Sequence, residues 1–463
     1  MKTTLEQLEP TRVKLTVEVE PDRVTHAFDD AAHHLAQQVQ IKGFRKGKAP
    51  RRLLEARLGK DAILQHAVEE WLGRFYAEAV RQEDLSPVAP PEIDLETFTE
   101  DEGCVFAATV EIRPEVELPD HTGIQMTFPD WDVTDEQVRE QVEALRERFA
   151  ELEVVERPAA RGDFVTIDLL VFQHGEPLES ATAEDALYEV GSGGVTPELD
   201  EQLPGAATGH ILNYTDRLPD GYPEHGGEEV EFRVLVKDVR AKRLPDLDDD
   251  FAATASEFDS LEELQHDIRR GLRSRRLSHA RQELRARVLE AYLALVDVPL
   301  PEAMVTDEVE GRLARMRRQA EQYGVELDQL LQMQGTDLDT ARRELEEQAR
   351  QAVKAQLVLE ALAREVGLTV EPGDLDREVR RHAADHGIEP AQLAQVISEQ
   401  GSVGVLVGDV ARRKALDLLV EAAEVEGAPS DDVLEELGLA PSTSPDDDSI
   451  PPAEPAEGAA QHA

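Results

Sequence analysis

Residues 43–50 read Gly43-Phe44-Arg45-Lys46-Gly47-Lys48-Ala49-Pro50. They lie in the most basic stretch of a very acidic chain. Between residues 41 and 60 the eight cations Lys42, Arg45, Lys46, Lys48, Arg51, Arg52, Arg57 and Lys60 face a single anion, Glu55, while the whole chain carries −49. So sharp a local reversal of sign points to a polyanionic partner. Two glycines and a proline predict a tight loop with Phe44 near its tip. An exposed aromatic between cations suits a surface made of phosphates and protein together.

The flanks predict how the loop is held. Val24, Ala27, Phe28, Ala31, Leu35 and Val39 recur at steps of three and four, which predicts a helix over 21–41 with Pro21 near its start. Pro50 opens a second helix whose apolar set is Leu53, Leu54, Leu58, Ile63, Val68 and Leu72. Val13, Leu15, Val17 and Val19 alternate, the mark of a strand with one buried face, and residues 105–113 form a second, less regular strand. Residues 1–115 therefore read as an α+β domain with the loop at a helix–loop–helix tip.

With that context, the chain resembles the trigger factor family, bacterial chaperones that meet nascent chains at the ribosome. The family signature, Gly-Phe-Arg-x-Gly-x-x-Pro, is matched without a gap by Gly43, Phe44, Arg45, Gly47 and Pro50. The resemblance implies that this loop binds a ribosomal protein and ribosomal RNA beside the exit tunnel. It implies Phe44, Arg45 and Lys46 as the main contacts, with Gly43, Gly47, Lys48 and Pro50 framing them. The other implied partners are unfolded nascent polypeptides and, off the ribosome, a second copy in a weak homodimer.

Residues 116–155 read as a linker and a helix over 135–153, with Val138, Val142, Leu145, Phe149 and Leu152 on one stripe. Residues 156–245 change character. Strands are expected over 165–172 and 229–239, separated by the Gly191-Ser192-Gly193-Gly194 loop and the Asp220-Gly221-Tyr222-Pro223 turn. This segment resembles the FKBP-type peptidyl-prolyl isomerase domain, a small antiparallel β fold. The matches are residues 162–168, Val190 to Gly193, Pro197, Leu203, Gly205, Gly209, Leu218-Pro219, Tyr222 and Phe232. The chemistry needs no acid, base or metal, because rotation about X–Pro meets a conjugation barrier of ~18–20 kcal/mol. A dry pocket that prefers the twisted amide lowers it. The expected pocket is Val195, Leu199, Tyr222, Phe232, Leu169 and Leu178. The sequence departs from the family at Leu169, Leu178 and Leu199, where aromatics are usual, which implies weakened catalysis.

Residues 246–427 are helical in pattern, starting with a capping box at Ser260-Leu261-Glu262-Glu263 and broken at Val298-Pro299-Leu300-Pro301. Helices are expected over 338–366, 374–385, 390–399 and 403–424. Thin, Ala-rich stripes suit an elongated helical domain with arms, which the resemblance implies is the chaperone body. Met304, Met316 and Met333 are adaptable candidates for client contact. Residues 428–463 hold nine acids and neither Lys nor Arg, and read as a disordered tail with one short helix near 432–437.

The lone cysteine, Cys104, precludes an intramolecular disulfide and fits a reducing compartment; with no apolar leader in residues 1–10, a cytoplasmic location is expected. His382 and His386 have metal-ligand spacing but no evident third ligand, and His33-His34 diverge on a helix. With no Walker loop or dinucleotide fingerprint either, no metal, nucleotide or other cofactor is expected. Two functions fit. One is a ribosome-tethered, ATP-independent chaperone with an isomerase-like domain. The alternative is a ribosome-associated or RNA-binding assembly factor with one defined partner and an inactive FKBP-like domain.

Overall fold

The computed structural model describes residues 1–39, 44, 47, 49–218, 226–333 and 335–437. Residues 1–129 and 281–430 form one compact unit, and residues 130–280 with the short helix Asp431–Glu436 form another. The architecture is multidomain α+β, as expected.

The chain opens with β1 (Lys2–Glu9), β2 (Arg12–Val19), α1 (Pro21–Gln38), α2 (Arg51–Leu58), α3 (Lys60–Gln82), β3 (Glu92–Thr99), β4 (Gly103–Glu111) and β5 (Gln125–Thr127). The first four strands make an antiparallel sheet in the order β1-β2-β4-β3. Val13, Leu15, Val17 and Val19 all point inward, as their alternation predicts. Leu15, Val17 and Val19 share a core with Phe28, Phe75 and Phe106, so α1 and α3 are pinned to the sheet. β1 and β3 are not apparent in the sequence, because both lie at sheet edges and carry mostly polar side chains. The expected second helix is two. Gly59 sits between α2 and α3 at φ 90°, ψ 154°, a conformation essentially reserved for glycine.

The second unit contains α4 (Asp135–Arg148), β6 (Glu151–Val154), β7 (Phe164–Gln173), β8 (Glu176–Pro177), β9 (Ala183–Glu189), α5 (Pro197–Gln202), β10 (Ile211–Arg217), β11 (Glu229–Arg243) and α6 (Asp249–Ala255). α4 starts at a Thr134/Gln137 capping box and stops earlier than its apolar pattern suggests, since Leu152 belongs to β6. The sheet runs β10-β11-β7-β8, with β6 also on β11 and β9 also on β7. Val165, Ile167, Leu169 and Val171 meet Val230, Phe232, Val234 and Val236 in one core, joined by Leu199 of α5 and by Leu203 at its C-cap. β9 and β10 fall where the sequence suggested only loops and turns. Their pairing with β7 and β11 makes them strands.

α7 (Leu261–Leu295) follows, with Glu263 N–H bonded to Ser260 Oγ at its start. After the Pro299 and Pro301 break come α8 (Glu302–Gln322), α9 (Leu327–Met333), α10 (Leu338–Glu365), α11 (Pro372–His386), α12 (Pro390–Glu399) and α13 (Val403–Ala422). α10 is the central helix: Val353, Leu357, Val358 and Leu362 are buried, and α8 and α13 pack against it. β12 (Glu424–Glu426) pairs in parallel with β5, and α14 (Asp431–Glu436) ends the described chain. No helix among the described residues is long and apolar enough to cross a membrane.

Candidate docking and client-binding sites

The basic loop lies where the signature places it, between α1 and α2. Of its residues, Gly43, Arg45, Lys46 and Lys48 lie outside the described set. Phe44 is 40% exposed. Gly47 takes φ +81°, and its N–H donates to the Ala36 carbonyl at 2.9 Å, which closes the loop onto the last turn of α1. Pro50 caps α2. That bond and that φ give Gly47 a structural reason to be glycine.

Not every cation of the stretch faces outward. Arg51 is engaged within the fold, donating to Glu55 at 2.9 Å, Asp29 at 3.0 Å and both oxygens of Glu100 at 2.7 and 2.5 Å. Its guanidinium also lies over the Phe28 ring. The Glu100 bonds hold it firmly protonated. Arg51 thus ties α2 to α1 and to the turn after β3. Arg52, Arg57 and Lys60 are exposed and make no ion pair among the described residues, and Leu53 stands exposed beside them. Among the described residues, the free surface of the stretch is therefore Phe44 and Leu53 with these three cations.

The helical region carries a second kind of surface. α12 buries none of its residues although it contains Leu393, Val396 and Ile397. Nearby in sequence, Ile388, Val403 and Val407 are exposed, and Val405 is 66% exposed. At the ends of α8 and α9, Tyr323 is 70% and Met333 77% exposed. Of the three candidate methionines only Met333 is free. Met316 packs against Leu327, Leu331 and Ala341, and Met304 is half-buried. Exposed apolar side chains scattered on helices offer weak, forgiving contact to unfolded segments. Ionic networks brace these helices. Glu360 of α10 receives Arg113 and Arg412, and the buried Glu378 receives Arg381, His382 and Arg413. His382 Nε2 thereby lies 2.9 Å from Glu378 Oε1, and His386 Nδ1 lies 2.8 Å from the His382 carbonyl.

In the β domain, Leu169, Leu199 and Phe232 are buried in one cluster, with Val195 and Leu178 packed against it. Tyr222 lies outside the described residues. Sequence reading missed Tyr214, whose ring stacks on Phe232 with centroids 5.0 Å apart and planes 10° apart. Burial pushes its hydroxyl up to about 12. It also missed Asp200, which accepts the Tyr188 hydroxyl at 2.8 Å and the N–H groups of Gly191 and Gly193 at 2.7 Å each, so shaping the glycine loop. At the domain entrance Asp163 is buried. Burial opposes its ionisation, but the bidentate Arg157 and the Ala160 N–H outweigh that and hold its carboxyl below the usual range.

The chain is similar to known proteins over most of its length. The family model for the bacterial trigger factor protein matches residues 1–145, and that for the trigger factor C-terminus matches residues 260–421. The trigger factor of Streptomyces coelicolor is 42% identical over 427 residues, spanning 92% of this chain and 91% of that protein. That of Thermobifida fusca is 40% identical over 425 residues, again 92% and 91%. A solved structure concerning promiscuous substrate recognition in folding and assembly by the trigger factor chaperone covers 91% of this chain and 99% of its own, with TM-score 0.55. At 24% identity that likeness speaks for the fold alone. From the matched models and the relatives' identity across nearly its whole length, the chain belongs to the bacterial trigger factor family, and it is a ribosome-associated chaperone that assists protein folding.

Proposed function

We propose that the chain docks beside the ribosomal exit tunnel through Phe44, Arg45 and Lys46, with Gly43, Gly47, Lys48 and Pro50 shaping the loop. Arg52, Arg57 and Lys60 extend the contact to RNA phosphates. Emerging polypeptides then meet the exposed apolar side chains of α12 and α13 and of the α8 and α9 ends, without ATP. Four parts divide the work: residues 1–115 dock, 156–245 hold an isomerase-like domain joined through 116–155, 246–427 bind clients and 428–463 form an acidic tail. The single observation that carries this reading is the exposed Phe44 in the same stretch as Arg52, Arg57 and Lys60, which make no ion pair among the described residues.

Client binding is tested with Val396→Asp combined with Val405→Asp. Both side chains are exposed, so folding is unaffected and only the surface changes. Burying a valine fully gains about 1.5–3 kcal/mol. Losing two partial burials therefore weakens client affinity about tenfold, read as the chaperone concentration that halves aggregation of a diluted unfolded protein. Unchanged suppression would move the client surface elsewhere.

The isomerase-like domain retains weak prolyl binding, with Leu169, Leu178, Val195, Leu199, Tyr222 and Phe232 as its pocket. The packing of five of these around one cluster supports the reading. The full chain is expected to accelerate a proline-limited refolding reaction, and Tyr222→Ala to abolish the acceleration. No acceleration over buffer would leave the domain with a purely structural role.

A further inference from the structure

His34, His66 and Glu70 each direct a ligand atom to one place, and these atoms lie within 4.8 Å of one another. His34 stands in the penultimate turn of α1, while His66 and Glu70 lie one turn apart on α3. Together with Gln37, Gln38 and Glu69 they line an open cleft of about 440 Å³. His34 Nδ1 is 2.8 Å from Glu70 Oε2, and His66 Nε2 is 3.9 Å from the same oxygen, too far for a hydrogen bond. The His66 Nε2 atom is buried and has no hydrogen-bond partner. An ordinary His–Glu hydrogen bond accounts for His34 but leaves that buried nitrogen unsatisfied. The other oxygen, Glu70 Oε1, accepts from Arg74 at 2.9 Å, so the carboxylate is held with Oε2 towards the two imidazoles. An outer partner that orients a carboxylate in this way is a usual companion of a metal ligand.

We infer that His34, His66 and Glu70 bind one divalent transition-metal ion of the zinc class. Metal–nitrogen and metal–oxygen distances of about 2.0–2.2 Å in a tetrahedral shell place neighbouring ligand atoms roughly 3.3 Å apart. The two distances to Oε2 lie on either side of that value, so modest side-chain rotation closes the site. Two imidazoles and a carboxylate favour zinc, nickel or cobalt over magnesium or calcium. The fourth position is left for water. The ion ties α1 to α3 directly beneath the docking loop. Ala36, two residues past His34, accepts the Gly47 N–H, and a side chain added at Gly47 would meet Gln37 at 3.4 Å. Metal binding therefore stiffens the loop's base and strengthens docking. This second half rests on the docking role proposed above; the first half does not.

The experiment titrates metal-stripped full-length protein with Zn²⁺ against a chromophoric chelator at neutral pH, and with Co²⁺ read by its visible absorption. One equivalent is expected to bind, with the intense bands of tetrahedral Co²⁺. His66→Ala and the isosteric Glu70→Gln each weaken binding about tenfold or more. His386→Ala, far in sequence from the site, leaves it unchanged. Circular dichroism verifies that each variant is folded, and Glu70→Gln carries the test if His66→Ala is not. Absence of stoichiometric binding, or binding that survives both substitutions, overturns the site. Ribosome cosedimentation with and without Zn²⁺ reads the coupling separately. Docking that tightens with Zn²⁺ in the parent protein but not in Glu70→Gln supports it. Equal docking with and without metal overturns the coupling and leaves the site standing, and if no ribosome binding occurs under either condition the docking role itself is at fault.

Discussion

Gly103→Ala is expected to unfold the N-terminal α+β region. Gly103 opens β4 at φ +90°, and a Cβ built there would lie 2.2 Å from the Val19 carbonyl oxygen. The obstacle is backbone in the neighbouring strand β2, which cannot turn aside as a side chain could. A non-glycine residue in such a conformation costs about 1–3 kcal/mol before any clash. With the clash the loss reaches about 4 kcal/mol or more, a large part of the ~5–15 kcal/mol that holds a domain together. The neighbouring Cys104 supplies the readout. It is fully buried, and burial pushes its thiol up to about 12, so it is inert to thiol reagents in the folded chain. In Gly103→Ala it should react rapidly at neutral pH, and thermal unfolding of this region should begin well over 10 °C lower. A protected thiol and unchanged melting would show that β2 and β4 accommodate the methyl group.

The second large effect concerns docking. Alanine at Phe44, Arg45 and Lys46 together should weaken ribosome binding about a hundredfold, the scale of one buried aromatic hot spot plus two phosphate contacts. Affinity of the parent protein should fall with added salt, and the triple variant's residual binding should depend on salt less steeply. Stability should not change, because Phe44 is exposed and outside the core, and Arg51, which ties α2 to α1, is kept. Arg51→Ala makes the contrast. It leaves Glu100 and Asp29 without their partner, and should cost stability as well as binding.

Much of this was legible because local patterns and the global fold agree. The strict alternation of Val13 to Val19 identifies β2 from four side chains. The glycines and proline of the loop identify a tip even without the strands around it. Edge strands escaped notice for a physical reason: β1 and β3 are half-solvated, so their side chains need not alternate, and their pairing with β2 and β4 does the work. Gly59 was hidden within an apolar helical period that continues on both sides of it. For the helices of residues 246–427, periodicity located each one but not its free face. α13 has apolar residues around much of its circumference, and only packing decides that Leu406 is buried while Val405 is exposed. The histidine cluster was invisible for another reason. His33-His34 looked isolated because the residues that complete the group arrive on a different helix. In the β domain, the three leucines at Leu169, Leu178 and Leu199 were evident, whereas the stacking of Tyr214 on Phe232 depends on the register of β10 against β11.

The most direct measurement compares binding to empty ribosomes with binding to ribosomes that carry an unfolded nascent chain. Three proteins are needed: the parent, the Phe44/Arg45/Lys46→Ala variant and the Val396/Val405→Asp variant. The parent should bind both kinds of ribosome and hold the nascent-chain complex more tightly. The loop variant should lose both, and the valine variant should bind empty ribosomes normally while losing the added affinity. If the loop variant binds like the parent, or the nascent chain adds nothing for any of the three, then docking through residues 43–50 with client capture by the exposed helices is wrong.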